Sequence, residues 1–98
     1  MNLPQAIDFD WDEGNAEKNE KHGVSRREIE RVFLNRPLLV TPDPLHSQVE
    51  DRFAALGVSD EGRRLTVVFT LRDGRTKIRP ISARPMNRKE RAVYEEGT

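Results

Sequence analysis

Hydrophobic and polar positions along the chain outline most of its elements. From Ala6 to Trp11, the residues Ile7, Phe9 and Trp11 share one parity, and Asp8, Asp10 and Asp12 the other. That alternation predicts a half-buried strand with an acidic outer face, with Trp11 in the core rather than serving as a base-stacking platform. Residues 13–22 are polar and rich in helix formers, which predicts a short helix ending at Gly23. Ser25 precedes Glu28 by three positions, the spacing of a capping box, and Val24 and Ile29 occupy the two positions of a hydrophobic staple. Ile29, Val32 and Phe33 continue at helical spacing, so a helix is expected from Arg26 to about Asn35, stopped by Pro37.

The second half reads as strands. Leu38 to Thr41 is a short apolar run, followed by a loop through Pro42, Asp43, Pro44 and Leu45 that holds His46. Asp51 to Ser59 is a strand, and Asp60, Glu61 and Gly62 make a hairpin turn. Arg64 to Arg72 alternates clearly, with Leu65, Val67, Phe69 and Leu71 on one face and Arg64, Thr66, Val68, Thr70 and Arg72 on the other. Asp73-Gly74 is a strong hairpin signal. In the return strand, Arg75 to Arg84, Ile78 and Ile81 are out of phase around Pro80, which has no N–H for the ladder. A bulge there is expected to let Thr76, Ile78, Ile81 and Ala83 share the inner face. Asn87, three residues before Glu90, starts a last helix carrying Ala92, Val93 and Tyr94. The expected fold is α+β, one antiparallel β-sheet with helices packed on one face, in a single domain over residues 1–98.

Composition narrows the function. The chain has 98 residues, of which 35% are hydrophobic and 35% charged, so its core is small and its surface salt-rich. Its longest apolar run is Leu38-Leu39-Val40, too short for a membrane span, and the N-terminal residues lack the pattern of a signal peptide. Without cysteine there is no disulfide, thiolate catalysis or cysteine-ligated metal, which fits a cytoplasmic protein. His22 and His46 cannot fill a three-histidine zinc site, and their spacing to Asp43 and Glu50 matches no metal-ligand pattern, so no metal or other cofactor is expected. Net charge is zero, yet residues 1–61 carry 7 Lys/Arg against 13 Asp/Glu, and residues 62–98 carry 10 against 4. Two readings fit this asymmetry: two halves that attract each other, or a basic surface for an anionic polymer.

Several segments together resemble the BrnT family of type II toxin–antitoxin toxins over nearly the whole chain. They are Phe9-Asp10-Trp11-Asp12; Asn19 with Lys21-His22-Gly23-Val24; Asp43, His46-Ser47, Glu50 and Arg52; Ala55-Leu56-Gly57; Arg64 to Thr70; Ile78 to Arg84; and Asn87, Glu90-Arg91 and Tyr94-Glu95-Glu96. The resemblance implies a RelE/ParE-like fold and a ribonuclease that inhibits translation. It also implies neutralisation by a BrnA-like ribbon-helix-helix antitoxin, in a 2:2 complex that represses its own operon. Pro80 and Pro85 depart from the family's usual aliphatic and basic residues.

RNA cleavage without metal requires deprotonation of a 2′-hydroxyl, cationic stabilisation of the phosphorane and protonation of the leaving 5′-oxygen. Histidine suits the proton transfers and arginine the phosphorane. On this reading His22, His46, Glu50, Arg79 and Arg84 are the candidate catalytic residues, and Lys21, Arg52, Arg64, Arg72 and Tyr94 bind RNA. Each has a plainer alternative. Lys21 and His22 can serve as C-terminal helix charges. His46 can bond Asp43 or Glu50, Glu50 and Asp51 can pair with Arg52, the arginines can be solubilising charge, and Tyr94 can pack the last helix. Two further functions stay open at this point: a non-enzymatic ParE-like inhibitor of DNA gyrase, and an inactive module that only binds a partner.

Overall fold

The computed structural model describes residues 8–16, 23–43 and 50–98. Its elements, in order, are β1 (Asp8–Phe9), α1 (Arg26–Leu34), β2 (Leu39–Pro42), β3 (Arg52–Val58), β4 (Arg64–Arg72), β5 (Lys77–Pro85) and α2 (Arg88–Glu96). A helical turn over residues 13–16 follows β1, where the sequence predicts a helix. The strands form one sheet in the order β1-β5-β4-β3-β2. β2 to β5 make an antiparallel meander, as expected, but β1 pairs parallel to β5, so the sheet is mixed rather than purely antiparallel.

α1 forms where its signals stand. Ser25 caps it, its side chain accepting from the Glu28 N–H at 3.1 Å, and Val24 and Ile29 are both fully buried as a staple. The reciprocal half of the capping box is not made, because the Glu28 carboxylate accepts from Arg63 instead, at 2.9 and 3.0 Å. Ile29, Val32 and Phe33 of α1 pack on Ala55, Leu65, Val67, Phe69, Ile78 and Ala83, with Phe9 and Trp11 at the margin. Phe33 meets Phe69 edge-on, ring centroids 5.0 Å apart. Burying each of these larger side chains contributes about 1.5–3 kcal/mol. Trp11 is therefore a packing residue, and its indole N–H donates to Glu30 at 2.8 Å.

The bulge in β5 forms, with a different occupant inside. Val68 pairs with Ser82 and Phe69 with Pro80, leaving Ile81 as the extra residue. Pro80 is fully buried opposite Phe69, while Ile81 turns to the other face and Thr76 lies exposed in the hairpin turn. That turn spans four residues, 73–76, with Asp73, Gly74 and Arg75 at positive φ, so β5 starts at Lys77 rather than at residue 75. Asp73-Gly74 marks the place but not the length of the turn.

Helices on a single face were expected, and here the structure differs. α2 packs on the face opposite α1, where Tyr94 and Met86 bury Leu56 and Leu39 at one end of the sheet. Its N-terminus carries a full capping box: the Asn87 side chain accepts from Glu90 N–H at 2.8 Å, and the Glu90 carboxylate accepts from Asn87 N–H at 2.9 Å. Of its apolar residues only Tyr94 is buried; Ala92 and Val93 are exposed. With nine residues and one anchoring side chain, α2 covers only part of the face.

Candidate functional site

Among the described residues, α2 leaves part of this sheet face open. An open cleft of about 520 Å³ lies there, lined by Thr41 and Pro42 of β2, Asp43 just after it, Arg52 and Ala54 of β3, Thr66 and Val68 of β4, Ile81, Ser82 and Arg84 of β5, and Glu90 of α2. Strand register arranges the face in rows. Arg52, Thr70 and Arg79 are opposite one another on β3, β4 and β5. Four positions along, Leu56, Thr66 and Arg84 form another row, and at the far end Arg72 faces Lys77. The polar faces of β4 and β5 thus coincide, and the sheet presents a basic floor built from separate strands.

Most cations of this floor stand beside an acid. Arg79 is paired with Asp10 at 3.4 Å and Asp12 at 2.9 Å, both on the acidic outer face of the first segment. Asn15 holds that segment in place, donating to the Asp10 and Pro80 carbonyls at 3.0 Å each. Arg84 makes a two-pronged pair with Glu90, at 2.6 and 2.9 Å. Arg72 pairs with Glu50 at 3.2 Å, and Arg63, on the α1 side, with Glu28. Most of these contacts join the acidic and basic halves of the sequence, so the attraction of the two halves and the basic surface coexist. The Arg72 and Arg84 side chains are each more than 40% exposed, and exposed pairs are worth about 0.2–1 kcal/mol. An incoming phosphate can therefore replace such a carboxylate at little cost.

Titration follows from these contacts. Burial raises the Glu90 pKa, but the Arg84 fork, the Asn87 N–H and the Thr66 hydroxyl outweigh it and hold the carboxyl below its usual range. Asp12 is also held low, first by the Asn15 backbone N–H and then by Arg79. Burial pushes the Tyr94 phenol up.

The cleft gathers Arg52 and Arg84, with Arg79, Arg72 and Glu50 on the same face beyond it. It does not gather Arg64 or Tyr94. Arg64 pairs with Glu95 at 3.3 Å and lines a separate hollow with Tyr94. Tyr94 is buried, its hydroxyl donating to the Pro37 carbonyl at 2.6 Å. Lys21, His22 and His46 lie outside the described residues. Sequence reasoning named neither Asp10 and Asp12 as partners of Arg79 nor Glu90 as the partner of Arg84. The parity of the aspartates on the first strand was the available signal for the former; Glu90 was legible only as a cap. Among the described residues no group of three or more His, Asp or Glu is placed to hold a metal ion. No helix among them is long and apolar enough to cross a membrane.

A comparison with protein families adds the decisive observation. The model of one family, described as "Ribonuclease toxin, BrnT, of type II toxin-antitoxin system", matches residues 11–90. The chain belongs to the BrnT family. No curated protein matches it significantly. Membership implies a ribonuclease toxin with RNA as its target and an antitoxin as its partner. The matched stretch begins at Trp11 and ends at Glu90, so it spans the cleft from the acidic segment that holds Arg79 to the carboxylate that holds Arg84.

Proposed function

We propose that the chain is a metal-independent endoribonuclease toxin that cuts RNA on the open face of its sheet, and that its antitoxin silences it by covering that face. The observation that carries the reading is the register that sets Arg52, Arg79 and Arg84 on one face, which is partly open among the described residues. Guanidinium groups suit the phosphorane because their planar forks bind two oxygens and keep their charge at any working pH. Arg79 and Arg84 take that role, and Arg52 and Arg72 bind flanking phosphates. The 2′-oxygen attacks phosphorus after losing its proton, the 5′-oxygen leaves with a proton, and a 2′,3′-cyclic phosphate remains. His22 and His46 are the proton-transfer candidates. In the chain His46 falls between Asp43 and Glu50, which both stand at this face. Glu50 holds Arg72 and is available to orient a histidine. Lys21, adjacent to His22, is a further phosphate ligand in this reading, whereas Arg64 and Tyr94 serve α2.

A partner of BrnA type, with a ribbon-helix-helix DNA-binding part, belongs to the same proposal, as do a RelE-like origin of the fold and action in the cytoplasm. An acidic surface on the antitoxin would compete for the arginines as Asp10, Asp12 and Glu90 already do. The test is to incubate the purified chain with RNA in EDTA, with and without the antitoxin, and to map the ends. The expected result is cleavage with 2′,3′-cyclic phosphate ends, suppressed by the antitoxin and reduced in Arg79→Ala and Arg84→Ala. RNA left intact both free and on ribosomes, together with growth arrest and DNA damage, would refute the reading in favour of gyrase inhibition.

A further inference from the structure

Between the row that holds Arg52 and the row that holds Arg84 lies a row without charge: Thr41, Ala54, Val68 and Ser82, in register across four strands. The β-bulge adds Ile81 to it. Because Pro80 takes the core position opposite Phe69, the extra residue of β5 turns into the cleft beside Ser82. Bulges re-aim side chains in this way beside functional sites. Val68 interrupts a strand face that otherwise reads Arg64, Thr66, Thr70 and Arg72. Ala54, Val68 and Ile81 are half-buried, so an apolar floor stays partly open to solvent in the middle of a charged face.

The dimensions suit a planar group. Neighbouring strands are about 4.8 Å apart, so a floor across β3, β4 and β5 is about 10 Å wide, and each arginine row lies about 7 Å along the strands. An uncharged seat with a cation to either side matches one nucleotide of a single strand, its base flat on the floor and a phosphate toward each cation. A duplex cannot offer that face, because its bases are stacked and paired.

Resting on the ribonuclease reading, we infer that Val68 and Ile81 seat one unpaired base of single-stranded RNA. Thr41 and Ser82 lend hydroxyls to the edge of the base, and Arg52 and Arg84 hold the neighbouring phosphates. Val68, Ile81 and Ser82 are therefore residues that set which nucleotide is bound at the cut.

The experiment uses the whole chain and a labelled, non-cleavable 2′-O-methyl RNA hexamer, with and without the base at one central position. Binding is read by fluorescence anisotropy. The expected result is about fivefold tighter binding of the intact strand than of the abasic one, the low end for a base on a protein surface. Val68→Thr with Ile81→Thr keeps branched strand residues and should erase that ratio, whereas Arg84→Lys should weaken both strands alike. Ser82→Ala leaves the floor intact and should alter the order of preference among the four bases. Equal affinity for the two strands in the wild type overturns the proposal, as does a ratio that survives the double substitution in a variant whose melting shows it folded. Substitutions that weaken only antitoxin binding also overturn it and assign the floor to the partner protein. Cleavage of unmodified RNA is followed in parallel: cleavage without base discrimination sinks the seat alone, and neither cleavage nor binding sinks the ribonuclease reading with it.

Discussion

Replacing Gly57 by alanine measures how closely α1 lies on the sheet that carries the cleft. Gly57 is buried in β3, and a Cβ built on it stands 2.8 Å from Val32 Cγ1, 3.3 Å from Leu38 Cδ1 and 3.3 Å from the Val32 carbonyl oxygen. The backbone tolerates alanine, since Gly57 is not among the residues at positive φ. The change therefore gains about 0.4–1 kcal/mol by narrowing the unfolded ensemble. Against this, carbon atoms in good contact sit about 3.5–4.0 Å apart. Val32 cannot swing aside, because a helical valine has essentially one χ1 rotamer, and its own carbonyl shares the contact. α1 has to lift from β3, and overpacking of this kind costs about 1–3 kcal/mol. The balance is a loss of about 0.5–2 kcal/mol, or a fall in Tm of about 2–10 °C for a chain of this length. Thermal melts followed by circular dichroism give the number. Val32→Ala in the same background should recover part of it, a coupling that a double-mutant cycle isolates. Gly97→Ala is the control: its nearest contact, 2.9 Å, is the tip of Leu39, a side chain that can turn away. A Gly57→Ala chain that melts at or above the parent would refute the close approach.

The remaining predictions concern the charged face. Arg84→Ala and Glu90→Ala should couple by about 0.5–1 kcal/mol in a denaturation cycle, since the two side chains form a half-exposed fork; strictly additive losses would show that the pair contributes nothing. The folded pKa of Glu90 lies below its ordinary 4.5, so its stabilisation is complete above that value and is lost as pH falls through the folded value. Glu90→Gln should accordingly flatten the acid limb of Tm against pH, and an unchanged limb would contradict the assignment. Asn87→Ala removes the other half of the capping box and should cost about 1 kcal/mol in urea denaturation. If Arg52, Arg79 and Arg84 each meet a phosphate, log K for single-stranded RNA should fall with log salt at a slope of about −2, and Arg79→Ala should make it shallower; an unchanged slope would remove Arg79 from the interface.

What the sequence determined by itself is what neighbours along the chain decide. Ser25 and Asn87 mark the starts of their helices because a cap is made within three residues. The alternation from Arg64 to Arg72 is a property of that strand alone, and it placed Leu65, Val67 and Phe69 in the core correctly. Pro80 signalled a bulge because it lacks an N–H, a fact local to one residue. The family, too, was legible in the order and spacing of short segments. Long-range competition decided the rest. Whether Pro80 or Ile81 turned inward depended on which one opposed Phe69 across the ladder. Glu28 left its capping box because Arg63, distant in sequence, offered it a stronger partner. α2 went to the second face because Leu39 and Leu56 of two other strands needed cover there. The parallel docking of β1 brought Asp10 and Asp12 onto Arg79. Parity along a strand assigns a face, but only register between strands assigns neighbours, and register is set by the whole sheet at once. The cleft is made of such neighbours, which is why its residues could be named from the sequence one by one but joined into a site only in the folded chain.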